Sequence, residues 1–89
     1  MITEREREVI IQYARKYNVS SVYLFGSSAG EGTEANDIDL AVKGILPRLF
    51  FKFHGELLRS LSRPVDLVDL SQRSLFNQMV EERGVKIYG

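Results

Sequence analysis

The six residues Asp37-Ile38-Asp39-Leu40-Ala41-Val42 begin by alternating acidic and apolar types with a period of two. In an extended chain that period sends successive side chains to opposite faces of a sheet, whereas a helix would spread them around its circumference. The segment therefore reads as a strand with Ile38, Leu40 and Val42 on a core face and Asp37 and Asp39 together on the other. A strand of this kind needs a second layer beneath its apolar face, and the rest of the chain must supply it.

The flanking sequence has suitable elements. From about Thr3 to Tyr17 the spacing predicts an amphipathic helix: Thr3 and Glu6 make a capping box, and Val9, Ile10, Tyr13 and Tyr17 share one face. Asn18 is a stop, and Val22-Tyr23-Leu24-Phe25 is a short β-favouring run ending at Gly26. Residues 26 to 36 are small and turn-forming and read as a loop. After the Asp-x-Asp strand, Leu46, Leu49, Phe50, Phe53, Leu57 and Leu61 fall on one side of a helix that ends near Ser62, with Pro47 in its first turn. Pro64 leads into a second β-like run, Val65-Asp66-Leu67-Val68, with Asp66 opposite Val65 and Leu67. Ser71 is expected to cap a last helix through about Arg83, with Leu75, Phe76, Met79 and Val80 buried, and Gly84 to close it as a left-handed cap. Val85 to Tyr88 fits an edge strand. This order predicts an α/β (α+β) fold: a small mixed sheet with helices packed mainly on one face, leaving the aspartate face open.

Composition narrows the function. Residues 1–89 are expected to form a single domain, and with 44% hydrophobic residues and no low-complexity stretch the chain can form a modest core. Twelve basic and twelve acidic residues cancel, so no general attraction to nucleic acid or to an anionic membrane is expected, and any anion site must be local. Without cysteine and with a single histidine, metals must be held by oxygen. The Glu4-Arg5-Glu6-Arg7-Glu8 start lacks an apolar signal core, and no apolar run is long enough to span a bilayer, so a cytoplasmic protein is expected.

Two carboxylates at i and i+2 on a strand lie about 7 Å apart, near enough to serve a pair of Mg²⁺ ions. Mg²⁺ is commonly held by one or two carboxylates together with substrate phosphates, so no all-protein cage is needed. Asp66, facing the same way from another strand, is placed to be the third ligand. Gly26 permits close backbone approach, and Ser27 and Ser28 offer hydroxyl and N–H groups that suit phosphate. Taken singly, each feature has a plain reading: an Asp-x-Asp strand is as readily a charged edge that resists aggregation, and a Gly-Ser loop is usually a turn. The combination, in this order and facing, is much more specific.

Leu24-Phe25-Gly26-Ser27, Asp37-Ile38-Asp39-Leu40 and Val65-Asp66-Leu67 resemble the motifs of the nucleotidyltransferase superfamily related to the DNA polymerase beta palm, and most closely those of the minimal nucleotidyltransferases of prokaryotes. The resemblance covers nearly the whole chain. It implies that Gly26, Ser27 and Ser28 bind the triphosphate of ATP and that Asp37, Asp39 and Asp66 are catalytic and bind two Mg²⁺ ions. It also implies an antitoxin whose partner is a HEPN-domain ribonuclease, inactivated by transfer of AMP from ATP to a hydroxyl. A non-catalytic module that neutralises such a ribonuclease by covering it is the alternative, and assembly with itself or with a partner stays open. Elsewhere, Arg48, Lys52, Arg59 and Arg63 read as a solvated stripe, Phe51 as exposed, His54 as structural and Asp69 as part of the turn before the last helix.

Overall fold

Thr3 and Glu6 set the start of the first helix. In the computed structural model, which describes residues 2–26 and 37–89, the Thr3 hydroxyl accepts from the Glu6 N–H at 3.1 Å while the Glu6 carboxylate accepts from the Thr3 N–H at 2.8 Å. The helix, α1 (Glu4–Lys16), ends where Asn18 takes a φ of 55°, a left-handed turn that asparagine tolerates better than most residues. The chain then enters β1 (Ser21–Leu24), all four residues of which are buried.

After β1 come β2 (Ile38–Lys43), a short 3₁₀ turn at Pro47–Leu49, α2 (Phe50–Ser60), β3 (Val65–Asp69), α3 (Leu75–Arg83) and β4 (Val85–Tyr88). The four strands form one mixed sheet in the order β3-β2-β1-β4. β1 is antiparallel to both β2 and β4, and β2 is parallel to β3. A parallel pair cannot be joined by a hairpin, and α2 supplies the crossover between β2 and β3.

The apolar side of the sheet carries Val22, Leu24, Ile38, Leu40, Val42, Val65 and Ile87, and against it pack Ile10 and Ala14 of α1 and Phe53 and Leu57 of α2, with Leu61 just beyond it. Phe53 is fully buried and meets Tyr17 edge-on with ring centroids 5.6 Å apart. The other side has a smaller cluster, Tyr23, Ala41, Leu70 and Val80. Two helices thus cover one face, as expected, while α3 crosses part of the other.

Several expectations are corrected. Ser74, not Ser71, caps α3 by accepting from the Asn77 N–H; the Ser71 N–H instead donates to the Asp69 carboxylate in the turn before the helix. Leu75, Phe76 and Met79 are exposed rather than buried, because α3 reaches the sheet mainly through Val80 and is tied to the preceding turn by Asn77, whose amide donates to the Gln72 carbonyl at 2.6 Å. Gly84 is extended, with φ −71° and ψ 165°, and is not a left-handed cap. A Cβ there would lie 2.5 Å from the Val80 carbonyl oxygen and 2.8 Å from that of Leu24, so glycine serves close approach between α3 and β1. Leu46 is exposed because it precedes the 3₁₀ turn instead of joining the helical face. His54 is structural, as expected: its Nε2 donates to the Val65 carbonyl at 2.6 Å and so ties α2 to β3.

Arg63 leaves the solvated stripe. Its guanidinium makes a two-pronged bond to the mostly buried Glu6 carboxylate, at 2.9 and 3.0 Å, joining the start of α1 to the lead-in of β3. Arg63 holds the Glu6 carboxyl below its usual 4.5, against burial, which acts in the opposite sense. A lowered folded value means that this stabilisation is full above pH 4.5 and is lost as pH falls through the lowered value. Glu6→Gln is expected to cost about 2 kcal/mol at neutral pH, and to flatten the fall in stability between neutral pH and acid. Thermal denaturation across that range checks both, and an unchanged acid limb in the variant would refute the assignment.

Candidate active site

Alternation along β2 turns Ile38, Leu40 and Val42 into the main core and leaves Asp39 on the opposite face, with Asp37 one residue before the strand begins. On β3 the same rule buries Val65 and sends Asp66 the other way. The register of the parallel pair sets Asp39 directly beside Asp66, and neighbouring strands lie about 4.8 Å apart. Asp37 and Asp66 are exposed and Asp39 is partly buried, so the acidic patch opens to solvent.

The charges act on one another. Burial first, then the charge of Asp66, then that of Asp37 hold the Asp39 carboxyl above its usual 3.8. Asp39 therefore senses both of the other acids predicted to share its site. Among the described residues no three His, Asp or Glu side chains are gathered into a cluster that would hold a metal ion by itself. The donor set is nevertheless all carboxylate oxygen, open on one side and mutually repelled. That suits a hard cation which brings phosphate and water ligands of its own better than one that needs a closed protein cage.

Gly26 forms the rim. It follows β1 with a φ of 59°, and a Cβ added to it would lie 2.8 Å from the Asp39 carboxylate Oδ2. The preceding residue is tied to the same strand, the Phe25 N–H donating to the Asp39 carbonyl at 3.1 Å. The glycine turn predicted to meet phosphate thus lies against the central aspartate, and any side chain at position 26 would displace that carboxylate. Ser27 and Ser28, predicted to help bind phosphate, lie outside the described residues.

Beyond Gly26 lies a cleft of about 400 Å³ lined by Phe25, Gly26, Phe76, Met79, Val80, Arg83 and Gly84. Sequence reasoning assigned Phe76 and Met79 to the core. A clue was available in the spacing: residues 76, 79, 80 and 83 share one helical face, and that face ends in an arginine. Phe25 and Phe76 meet edge-on at 5.5 Å.

The family described as Polymerase beta, Nucleotidyltransferase matches residues 8–89. The chain belongs to that family. No functionally curated protein matches it. Among solved structures, a chain of a toxin–antitoxin complex with AMP-PNP is 30% identical at a TM-score of 0.77, with 93% of this chain and 73% of that one covered. A chain of the MntA–HepT toxin–antitoxin is 28% identical at a TM-score of 0.73, with coverage of 98% and 73%. A chain from a complex of a tri-AMPylated Shewanella oneidensis HEPN toxin with its MNT antitoxin is 26% identical at a TM-score of 0.75, with coverage of 99% and 73%.

Like charges crowded around a partly buried carboxylate oppose folding. Asp39→Asn is therefore expected to stabilise the ligand-free protein by about 1 kcal/mol, raising Tm by about 5 °C. Calorimetry at neutral pH and low Mg²⁺ tests this, and a lowered Tm would show that the acids do not repel one another as described.

Proposed function

We propose that the protein is an Mg²⁺-dependent nucleotidyltransferase that transfers AMP from ATP to a hydroxyl of a HEPN toxin, and that it acts as the antitoxin of that pair in the cytoplasm. The observation that carries this reading is the register of β2 with β3, which places Asp39 beside Asp66 on an open face next to Gly26. Family membership supports nucleotidyl transfer. The AMP-PNP in one similar toxin–antitoxin structure and the tri-AMPylated toxin in another support adenylyl transfer to such a partner.

In this reading Asp37, Asp39 and Asp66 hold two Mg²⁺ ions together with the triphosphate, and Gly26, Ser27 and Ser28 take its phosphates. The bound ions would neutralise the phosphate oxygens and lower the proton affinity of the attacking hydroxyl. Asp66, on the β3 side of the patch, accepts that hydroxyl's proton. The acceptor oxygen bonds to the α-phosphorus as the bond to the bridging oxygen breaks, and pyrophosphate carries away the electron pair. Gly26 leaves the phosphates room beside Asp39. A side chain at position 26 would instead crowd the Asp39 carboxylate.

Mixing the protein with α-labelled ATP, Mg²⁺ and its HEPN toxin partner is expected to label that partner. Asp39→Ala and Asp66→Ala should each lower the rate at least about a hundredfold. Absence of label with the unmodified chain would remove the catalytic claim. A second reading, steric neutralisation of the ribonuclease, draws on the absence of a preformed three-ligand cluster among the described residues. It is favoured if Asp37→Ala and Asp39→Ala protect cells from the toxin as well as the unmodified chain does.

A further inference from the structure

We propose that the open edge of β3 docks an extended segment of the HEPN partner as an added strand, and that the residue lying opposite Asp66 carries the hydroxyl that accepts AMP. The inference rests on the nucleotidyl-transfer reading and adds how the acceptor is held.

Hydrogen bonding along β3 is the first argument. The Ile38 N–H donates to the Pro64 carbonyl and the Leu70 N–H to the Val42 carbonyl, each at 2.8 Å. Alternate residues of a strand turn their backbone groups to one neighbour, so those of Pro64, Asp66, Val68 and Leu70 face β2 and those of Val65, Leu67 and Asp69 point out of the sheet. β3 ends the strand order, and no further strand meets them. His54 takes the Val65 carbonyl at 2.6 Å, and the Asn77 amide donates to that of Asp69 at 3.4 Å. Between these two, the N–H and C=O of Leu67 have no partner among the described residues. A free N–H and C=O on one edge residue are what an extended peptide needs to add itself to a sheet.

Position is the second. Residues directly paired across strands share a face, whichever way the added strand runs, and their side chains lie about 5 Å apart. The residue opposite Asp66 therefore stands on the acidic face, on the side away from Asp39. Gly26, Asp39, Asp66 and that residue form one row across neighbouring segments. In-line displacement needs the attacking oxygen opposite the departing group. The row supplies this: the hydroxyl oxygen bonds to the α-phosphorus from the β3 side and gives its proton to Asp66, while pyrophosphate leaves with the electron pair on the Gly26 side.

Exposure is the third. Phe51 is 80% and Leu58 46% exposed. They lie three residues before and four after His54, so they share the flank of α2 that His54 brings to the β3 edge. The Phe50 ring meets Phe51 edge-on at 5.4 Å. On an added strand the neighbours of the hydroxyl residue point to the α2 side of the sheet, where an apolar one would cover Phe51 and Leu58. The docked segment is thus extended, with an apolar residue next to its acceptor serine, threonine or tyrosine.

Amide exchange followed by NMR on the isotope-labelled chain reads the edge directly. The Leu67 N–H is expected to exchange at least about tenfold more slowly in the complex with the toxin and Mg²⁺–AMP-PNP than in the isolated chain. Leu67→Pro removes that donor at an edge position where proline is tolerated, and Leu58→Glu places a charge on the exposed flank. Each is expected to raise the KM for the toxin about tenfold and to leave the affinity for AMP-PNP, measured by titration calorimetry, unchanged. Leu58 is exposed, so its variant keeps the fold, checked by Tm. An unprotected Leu67 N–H in the complex overturns the proposal, as does an unchanged KM in both variants. Protection that grows with the concentration of the chain alone would assign the edge to a second copy and overturn it equally. If the unmodified chain transfers no label, the catalytic reading falls and the acceptor assignment with it, whereas exchange at Leu67 still decides the docking.

Discussion

The parallel pairing of β2 with β3 sets two carboxylates side by side, and the rest of the arrangement depends on it. Like charges directly across neighbouring strands oppose the pairing by about 1 kcal/mol or less. On the reverse side of β2, Ile38, Leu40 and Val42 are fully buried, and each contributes about 2 kcal/mol by leaving water. Core burial therefore outweighs repulsion, and the acids are held together by residues that never touch them. Period-two geometry makes this possible, since it lets one strand be apolar to the interior and acidic to solvent.

Other contacts steady the same pair of strands. α2 provides the crossover that lets β2 and β3 run parallel, and its His54 grips the Val65 carbonyl, one residue before Asp66. Arg63, two residues before β3, is clamped to Glu6 at the start of α1, and the Ile38 N–H donates to the Pro64 carbonyl at 2.8 Å. The lead-ins of both acidic strands are thus tied to each other and, through Arg63, to a helix. In the proposed function phosphate charge comes close to carboxylate charge, and such a frame serves it because the cost of repulsion among the acids is met in folding rather than in binding.

α3 has a different character. It is short, joined to the sheet through Val80 and to its own turn through Asn77, and much of its apolar surface faces solvent. A helix with so little buried area is a weak contributor to stability, yet it stands over the sheet face that carries the acids. It forms one wall of the cleft beside Gly26, and the close pass of Gly84 beneath it fixes where that wall lies.

Much of this was legible in the residues. The helix capped by Thr3 and Glu6, all four strands, the facing of Asp39 and Asp66, and the structural parts of His54 and Asp69 follow from local periodicity and capping chemistry, which act over a few neighbours. The family resemblance rested on motifs that such local order keeps intact. What the sequence could not settle were relations between distant segments. Arg63 looked like one member of a basic stripe because nothing local reveals that Glu6 lies opposite it. Leu75, Phe76 and Met79 looked like core because apolar spacing predicts a buried face without saying whether anything covers it. Gly84 looked like a turn residue because close approach to Leu24 exists only once β1 and β4 pair. By itself the sequence determined which residues face together along each element, a matter of backbone geometry. Only the tertiary structure decided which elements meet, because the burial that selects among pairings is shared across the whole chain.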